Sequence, residues 1–398
     1  MKHRSLRGLC ALFLCGALLT PALAAEPAET EETDGPDLTW EELDERILAG
    51  SLNVRILDEN IGSIEAIDYE MMEEQLRQQL NQIADAQWFL IQTGNGASAS
   101  SLDETYSSLR EVFDDIRDGD LQKDYADAVR QIEDGIHQVL AAGESLYINL
   151  VSLEASLEDG NRGLAALDRS LEELRLRRDL GQVSDQQVAA LEQTRADTVS
   201  QLRTLETTIA TYKSQLQVLI GEEPTGELTL GPLPEEAALE WTEPDYEADL
   251  AAAKEASWTL YDAVLTLEDA EETWKDARRD YYGSYYRYQY DMAEHTWNAA
   301  QTTYESAVQD FETSFRTLYD SLADYEQVWE NKQAALDYQQ TVLNTTRTQY
   351  ERGMVSHSAL LTAEDDLAAA QSEAESAWRD LFNARNNYRL AVDYGILA

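Results

Sequence analysis

Proline placement limits what this chain can fold into more than any other feature. The seven prolines are Pro21, Pro27, Pro36, Pro224, Pro232, Pro234 and Pro244. None falls between Pro36 and Pro224, and none follows Pro244. Proline costs about 3 kcal/mol inside a helix, so both uninterrupted blocks suit long helices. Between them Gly221 to Asp245 holds four prolines, Gly226 and Gly231, the composition of a linker or small joining element. Within it Glu227-Leu-Thr-Leu230 is a candidate short strand.

The apolar period agrees with helices. Leu146, Leu150, Leu153, Leu157, Leu164, Leu167, Leu171 and Leu174 fall at steps of four and three, with Gly160 in the skipped position. Val188, Leu191, Leu202, Leu205, Ile209, Tyr212, Leu216 and Leu219 do the same, interrupted at Arg195 and Thr198. Sustained 4-3 spacing makes a narrow seam against another helix, as in coiled coils. A helix from Leu146 to Leu180 would run roughly 50 Å. It needs antiparallel neighbours to bury its seam.

The two blocks read as copies at an offset of 172 residues. Leu146-Tyr147 falls on Leu318-Tyr319, Glu154 on Glu326, Arg175 on Arg347, Gly181 on Gly353, Val183 on Val355, Ser184 on Ser356 and Glu192 on Glu364. The centre of each copy predicts a helix–turn–helix tip. Gly181 enters the left-handed cap without strain. Ser184 then caps the next helix, and Gln187 completes a capping box, with Val183 and Val188 as a hydrophobic staple. The second copy has Gly353, Ser356 and the staple pair Val355 and Leu360, but Ala359 replaces the box glutamine. A plain hairpin turn accounts for the glycine and serine; it accounts less well for the shared valines.

Charge and composition remove several functions. Asp and Glu number 77 against 30 Lys and Arg, a formal net charge of −47, which would repel nucleic acid. Hydrophobic residues at 43% set the chain apart from disordered acidic polymers. Lys2, Arg4 and Arg7, then the apolar run Leu9 to Leu19, then Ala22-Leu23-Ala24, read as a secretory signal over residues 1–24. Cleavage before Ala25 removes both cysteines, Cys10 and Cys15, and with them all thiol chemistry. Residues 25–37 read as a flexible acidic lead. The histidines beyond the signal, His137, His295 and His357, are scattered. No zinc spacing, Gly-rich phosphate loop or nucleophile elbow occurs, so neither an enzyme nor a cofactor or metal is expected.

The tips and their surroundings resemble the TolC-like outer-membrane efflux family. Tyr350-Glu-Arg-Gly353-Met-Val-Ser356, followed by Leu360-Leu361-Thr-Ala363, is similar to that family's signature at its periplasmic tip. Arg178-Asp-Leu-Gly181-Gln-Val-Ser184 is similar to its first-repeat version. The opening Leu38-Thr-Trp-Glu-Glu-Leu43 and the repeat ends Leu219-Ile-Gly221 and Tyr394-Gly395 also fit. The resemblance runs from about Leu38 to the end. It implies an all-α protomer of two tandem repeats of long antiparallel coiled-coil hairpins, residues 38–221 and 246–398, joined by the Pro/Gly linker 222–245. It implies a homotrimer whose helices close a tunnel, an adaptor (membrane-fusion) protein of a pump as partner, and an exported, cell-envelope location. Gly181, Val183, Ser184, Gly353, Val355 and Ser356 would be the adaptor-docking tips.

The chain departs from the family where the membrane strands should lie. A membrane strand needs about 9 to 11 residues, so a pair needs about twenty and a turn. Asp280 to Met292 is too short. Trp88-Phe-Leu-Ile91 is a single apolar run before the polar Gly94 to Ser101. The β-barrel strands are therefore expected to be missing, as in relatives from Gram-positive bacteria. Membrane contact is left open. Tyr281, Tyr282, Tyr285, Tyr286, Tyr288 and Tyr290 read as a packed loop tip or as surface-anchoring aromatics on lipid or wall glycan. Asp114-Asp115-Ile-Arg-Asp118-Gly119-Asp120 hints at a calcium loop, with Ile116 and Tyr125 in ligand positions. Ala359 and Thr362 stand where the family narrows its tunnel with aspartates. Asp365 and Asp366, a turn further on, are the candidate acidic lumen residues, or simply a solvated helix face. The competing reading of the whole is a structural coiled-coil envelope protein without transport.

Overall fold

The computed structural model describes residues 36–95, 99–236 and 241–397. The expected signal sequence and most of the expected acidic lead lie outside the described residues. Among the described residues there are ten helices: α1 (Trp40–Gly50), α2 (Leu52–Glu65), α3 (Tyr69–Gln92), α4 (Asp103–Asp118), α5 (Asp120–Asp179), α6 (Asp185–Leu219), α7 (Tyr246–Ala256), α8 (Trp258–Tyr281), α9 (Arg287–Glu351) and α10 (His357–Tyr394). The β-structure among them is one isolated parallel bridge, Leu38 to Leu230. No described helix is long and apolar enough to cross a membrane.

The chain divides into two compact units. One is Asn53–His137. There Asp68 caps α3 by accepting from the Met71 amide at 2.9 Å. Helices α3 and α4 pack through Phe113 and Ile116, with the guanidinium groups of Arg77 and Arg110 at 5.9 and 5.3 Å from the Phe113 ring. The acidic run from Asp114 is the last turn of α4, and Asp114 pairs with Arg110 at 3.0 Å and Arg117 at 2.8 Å. The hinted calcium loop does not form, because helix geometry points these carboxylates at neighbouring arginines. Among the described residues no group of His, Cys, Asp and Glu could hold a metal ion.

The other unit holds the described residues up to Leu52 and from Gln138 onward. Its α5–α6 hairpin uses the expected seam: Leu150, Leu171, Val188, Leu202, Ile209 and Leu216 are buried. Gly160 admits Leu202, whose Cδ2 lies 2.4 Å from where a Cβ would be. The break at Arg195 is an ion pair to Asp168 across the hairpin. The α9–α10 hairpin is seamed differently. Helix α10 contributes the buried small residues Ala363, Ala370, Ala374 and Ala377 before Leu381, while Leu322 and Phe315 of α9 cluster with Ala384, Tyr388 and Ala391 further along. At 65 residues, α9 runs about 98 Å.

The 172-residue offset recurs in contacts that sequence alone does not display. Glu154–Lys213 at 2.6 Å matches Glu326–Arg385 at 3.4 Å, and Arg175–Glu192 at 2.7 Å matches Arg347–Glu364 at 3.4 Å. Tyr147 meets Trp40 edge-on at 5.7 Å and 72°, and its copy Tyr319 meets Tyr246 edge-on at 5.2 Å and 72°, although Trp40 and Tyr246 stand 206 rather than 172 residues apart because the first block is longer before Tyr147. These aromatics mark a junction where α1, α7 and the repeat ends gather. The Pro/Gly segment is packed into it. Leu228 and Leu233 are buried, Gln217 bonds the Gly226 amide at 2.9 Å, and the Tyr147 hydroxyl donates to Gly231 O at 2.7 Å. The candidate strand reduces to the Leu38–Leu230 bridge, flanked by Gly231 N to Leu38 O at 2.8 Å.

Candidate functional site

The two hairpin tips are built by the same backbone chemistry. At the first, Gly181 has φ +72°, its amide bonds Arg178 O at 2.8 Å, and the Gln182 amide bonds Arg177 O at 2.9 Å. At the second, Gly353 has φ +70°, with Gly353 N to Tyr350 O at 2.8 Å and Met354 N to Gln349 O at 2.9 Å. This paired pattern closes the last helical carbonyls. Ser184 and Ser356 then accept from the amides of Gln187 and Ala359. Gln187 returns a bond to the Ser184 amide at 3.0 Å, which Ala359 cannot do.

The structure divides the six predicted tip residues into two roles. The glycines and serines are exposed, but their backbone and hydroxyls are spent on turning the chain. Val183 and Val355 are half-buried at the turn. The apolar surface offered to solvent belongs to other residues: Leu176 and Leu180 at the first tip, the latter 65% exposed, and Tyr350 and Met354 at the second, the latter 70% exposed. Tyr350 also meets His357 edge-on at 5.7 Å. Sequence reasoning passed over these four. The signal was present: Leu176 and Leu180 fall off the 4-3 seam that Leu171 and Leu174 define, so neither can face the partner helix.

Asp365 and Asp366 do not form an open acidic pair. Both are exposed, but Asp365 is held by Arg169 of α5, whose Nη2 lies 2.7 and 2.8 Å from its two carboxylate oxygens. The pair ties the first hairpin to the second. The tyrosines of 281–290 lie at the α8–α9 turn, far along the sequence from either tip. Tyr290 is buried, Tyr281 half-buried, and Tyr282, Tyr285, Tyr286 and Tyr288 are exposed.

The junction holds a polar cluster that no sequence motif announced. Glu144 is only 2% exposed. It accepts from Asn386 Nδ2 at 2.7 Å and Arg389 Nη2 at 2.6 Å. Beside it, Asp44 has a buried Oδ1 without a hydrogen-bond partner. Burial first, then the charge of Glu144, push the Asp44 carboxyl up to about 6, against the pull of Arg389. Arg385 packs between Trp241 and Trp378 at 4.9 and 5.9 Å. Trp40, Asp44, Glu144, Trp241, Arg385 and Arg389 line a cleft of about 640 Å³. The only sequence signal was mild: polar Glu144, Asn386 and Arg389 stand among apolar neighbours in helices, a common pattern on any helix face.

No protein-family model and no curated protein matches the sequence. Solved structures do match the fold. The chain is similar to CusC, with TM-score 0.56 and 13% identity over 96% of this chain and 99% of that one. It is similar to the outer-membrane channel OprN, with TM-score 0.55 and 13% identity over 89% and 90%. It is also similar to the CmeC outer membrane channel of Campylobacter jejuni, with TM-score 0.53 and 11% identity over 73% and 68%. The chain therefore has the TolC-like channel fold that its tip sequences resemble, an all-helical version whose described residues contain no barrel strand.

Proposed function

We propose that the chain is one protomer of an exported, envelope-located conduit of the TolC-like type. Two repeats, 38–221 and 246–398, joined through 222–245, supply its helices, and three copies close the channel. The tips dock onto the adaptor of a pump, and the conduit passes substrate passively while the partner supplies energy. The observation that carries this reading is the duplicated tip. Two turns 172 residues apart share cap bonds and a left-handed glycine, and each exposes apolar side chains at its own positions, Leu176 and Leu180 at one and Tyr350 and Met354 at the other. A simple coiled-coil hairpin needs the cap but not the apolar side chains exposed at each tip, Leu176 and Leu180 or Tyr350 and Met354, and a partner surface would cover them. Similarity to OprN, CusC and CmeC supports the same reading at the level of fold.

A second reading has its own observation. Among the described residues the β-structure is one isolated bridge, with no barrel strand. On that reading it is a structural coiled-coil protein of the envelope. Two experiments separate them. Light scattering after size exclusion, in detergent-free buffer, should give three times the chain mass; a stable monomer would sink the closed conduit. Replacing Gly181 and Gly353 with Trp should abolish export of pump substrates with helix content kept. Unchanged export would remove the tips from transport and leave the structural reading ahead.

A further inference from the structure

The Tyr-rich turn between α8 and α9 exposes a dense group of aromatic side chains. Tyr285 is 95% exposed, and Tyr282, Tyr286, Tyr288 and Met292 are each more than half exposed. A packed loop tip would have hidden them. They are not floppy additions either. Trp274 of α8 stacks on Trp297 of α9 at 4.4 Å and 17°, fixing the two helices behind the turn. Buried Tyr290 holds Tyr282 edge-on at 5.2 Å and donates to Glu294 at 2.8 Å. The Ser284 amide bonds Tyr281 O at 3.0 Å, and the Tyr286 amide bonds Ser284 Oγ at 3.0 Å. The rings form a braced, outward-facing platform.

We propose that this platform seats in the headgroup layer of a lipid bilayer containing anionic lipid, as a peripheral anchor that does not span. Three features select that occupant. Tyrosine has an apolar ring and a polar hydroxyl, which suits a polarity gradient better than a uniformly apolar groove. The surface is a convex turn, so it inserts rather than receives. The local charge is also close to balanced: from Trp274 to Met292 four cations, Lys275, Arg278, Arg279 and Arg287, stand against three aspartates, with Lys275, Arg279 and Arg287 ion-paired, in a chain of net charge −47. An anionic surface repels the rest of the molecule and tolerates this stretch. Arg287 already lies over the Tyr282 ring at 5.4 Å and Arg278 over Trp274 at 5.5 Å, the arrangement in which an arginine keeps its charge in water above a buried aromatic. The first unit carries an independent patch of the same kind: Trp88, Phe89 and Ile91, near the end of α3, are each more than 60% exposed.

This inference does not depend on transport. The chain from Ala25 contains no cysteine, and a Cβ at Gly283 meets nothing within 4 Å, so Gly283→Cys accepts an environment-sensitive dye. The labelled chain is mixed with vesicles of phosphatidylcholine alone or with one third phosphatidylglycerol. We expect co-sedimentation with the anionic vesicles, a blue shift of the dye, and stronger quenching by shallow than by deep spin-labelled lipid. Tyr282, Tyr285, Tyr286 and Tyr288 all to Ser should weaken vesicle binding at least tenfold without changing helix content. Adding Trp88, Phe89 and Ile91 to Ser should weaken it further. No binding to either vesicle, or binding with the dye still in water, overturns the proposal. So does capture by purified wall glycan with vesicles ignored.

Discussion

Two pairs of glycines with a left-handed backbone, at the tips and at the junction, are needed for two different reasons. At the tips, Gly181 and Gly353 have φ near +70°, and a Cβ at either would meet nothing within 4 Å. At the junction, Gly221 and Gly395 have φ +79° and +66°, but a Cβ on Gly221 would lie 2.1 Å from Gly50 O, and one on Gly395 2.3 Å from Ser257 Cα. The tips need only a conformation. The junction needs a conformation and the missing atom, because backbone is packed on backbone there. An exposed turn can thus be tuned for a partner at little cost, whereas the junction cannot change without moving whole helices.

The largest expected effect breaks the junction. Gly395→Ala or Gly221→Ala should cost about 3 kcal/mol or more, since the colliding atoms are main chain and the strain of positive φ adds to the clash. Thermal unfolding should show it as a large fall in Tm; a fall no greater than that of the tip variants would undo the contrast. Tyr147→Phe comes next. It strips the buried hydroxyl from Gly231 O and Leu38 O, leaving both carbonyls to find other partners, for about 1–2 kcal/mol in denaturant titration. Gly181→Ala and Gly353→Ala should each cost only about 1 kcal/mol, the conformational penalty alone.

The same contrast extends to pH. The tip ion pairs Arg175–Glu192 and Arg347–Glu364 are exposed and screened by solvent. Asp44 at the junction titrates near 6 when folded, against an ordinary value of 3.8. The folded state therefore binds the proton more tightly, and stability falls as pH rises from about 4 to 6. Asp44→Asn should flatten that slope and raise stability at pH 7 by about 1 kcal/mol, after allowance for solvent screening at a half-buried group. An unchanged slope in unfolding curves at pH 4, 5, 6 and 7 would assign it to another group. The smallest effect separates the two tips. Gln187→Ala should cost about 0.5 kcal/mol and Ala359→Gln return a similar amount at the other tip, both measurable by hydrogen exchange of the capped amides.

Much of this was readable from residues. The tip glycines, serines and the box glutamine sit in local motifs whose geometry depends on few neighbours, so Gly181, Ser184 and Gln187 could be assigned bonds in advance. The seam at Val188, Leu202, Ile209 and Leu216 followed from periodicity alone. The resemblance at the tips pointed to a fold that overall identities of 11–13% could not. Other features were not readable, since they depend on residues distant in sequence. Asp365 finds Arg169, and Glu144 finds Asn386 and Arg389, across well over a hundred positions. The exposed side of the tips shows more residues than the sequence reading named. Val183 and Val355 drew the docking expectation, while Leu180 and Met354 carry more exposed apolar surface.

What the sequence determined by itself is the set of local choices: long helices where proline is absent, a turn wherever glycine and a capping serine follow one another, and a second copy of both. Each rests on interactions within a few residues, so each survives translation from text to shape. Only the tertiary structure decided which charges are buried, which aromatic platform faces outward, and why Gly221 and Gly395 cannot gain even one carbon. Those properties belong to surfaces that meet only after the helices have packed, where the cost of an atom depends on the neighbour already in its place.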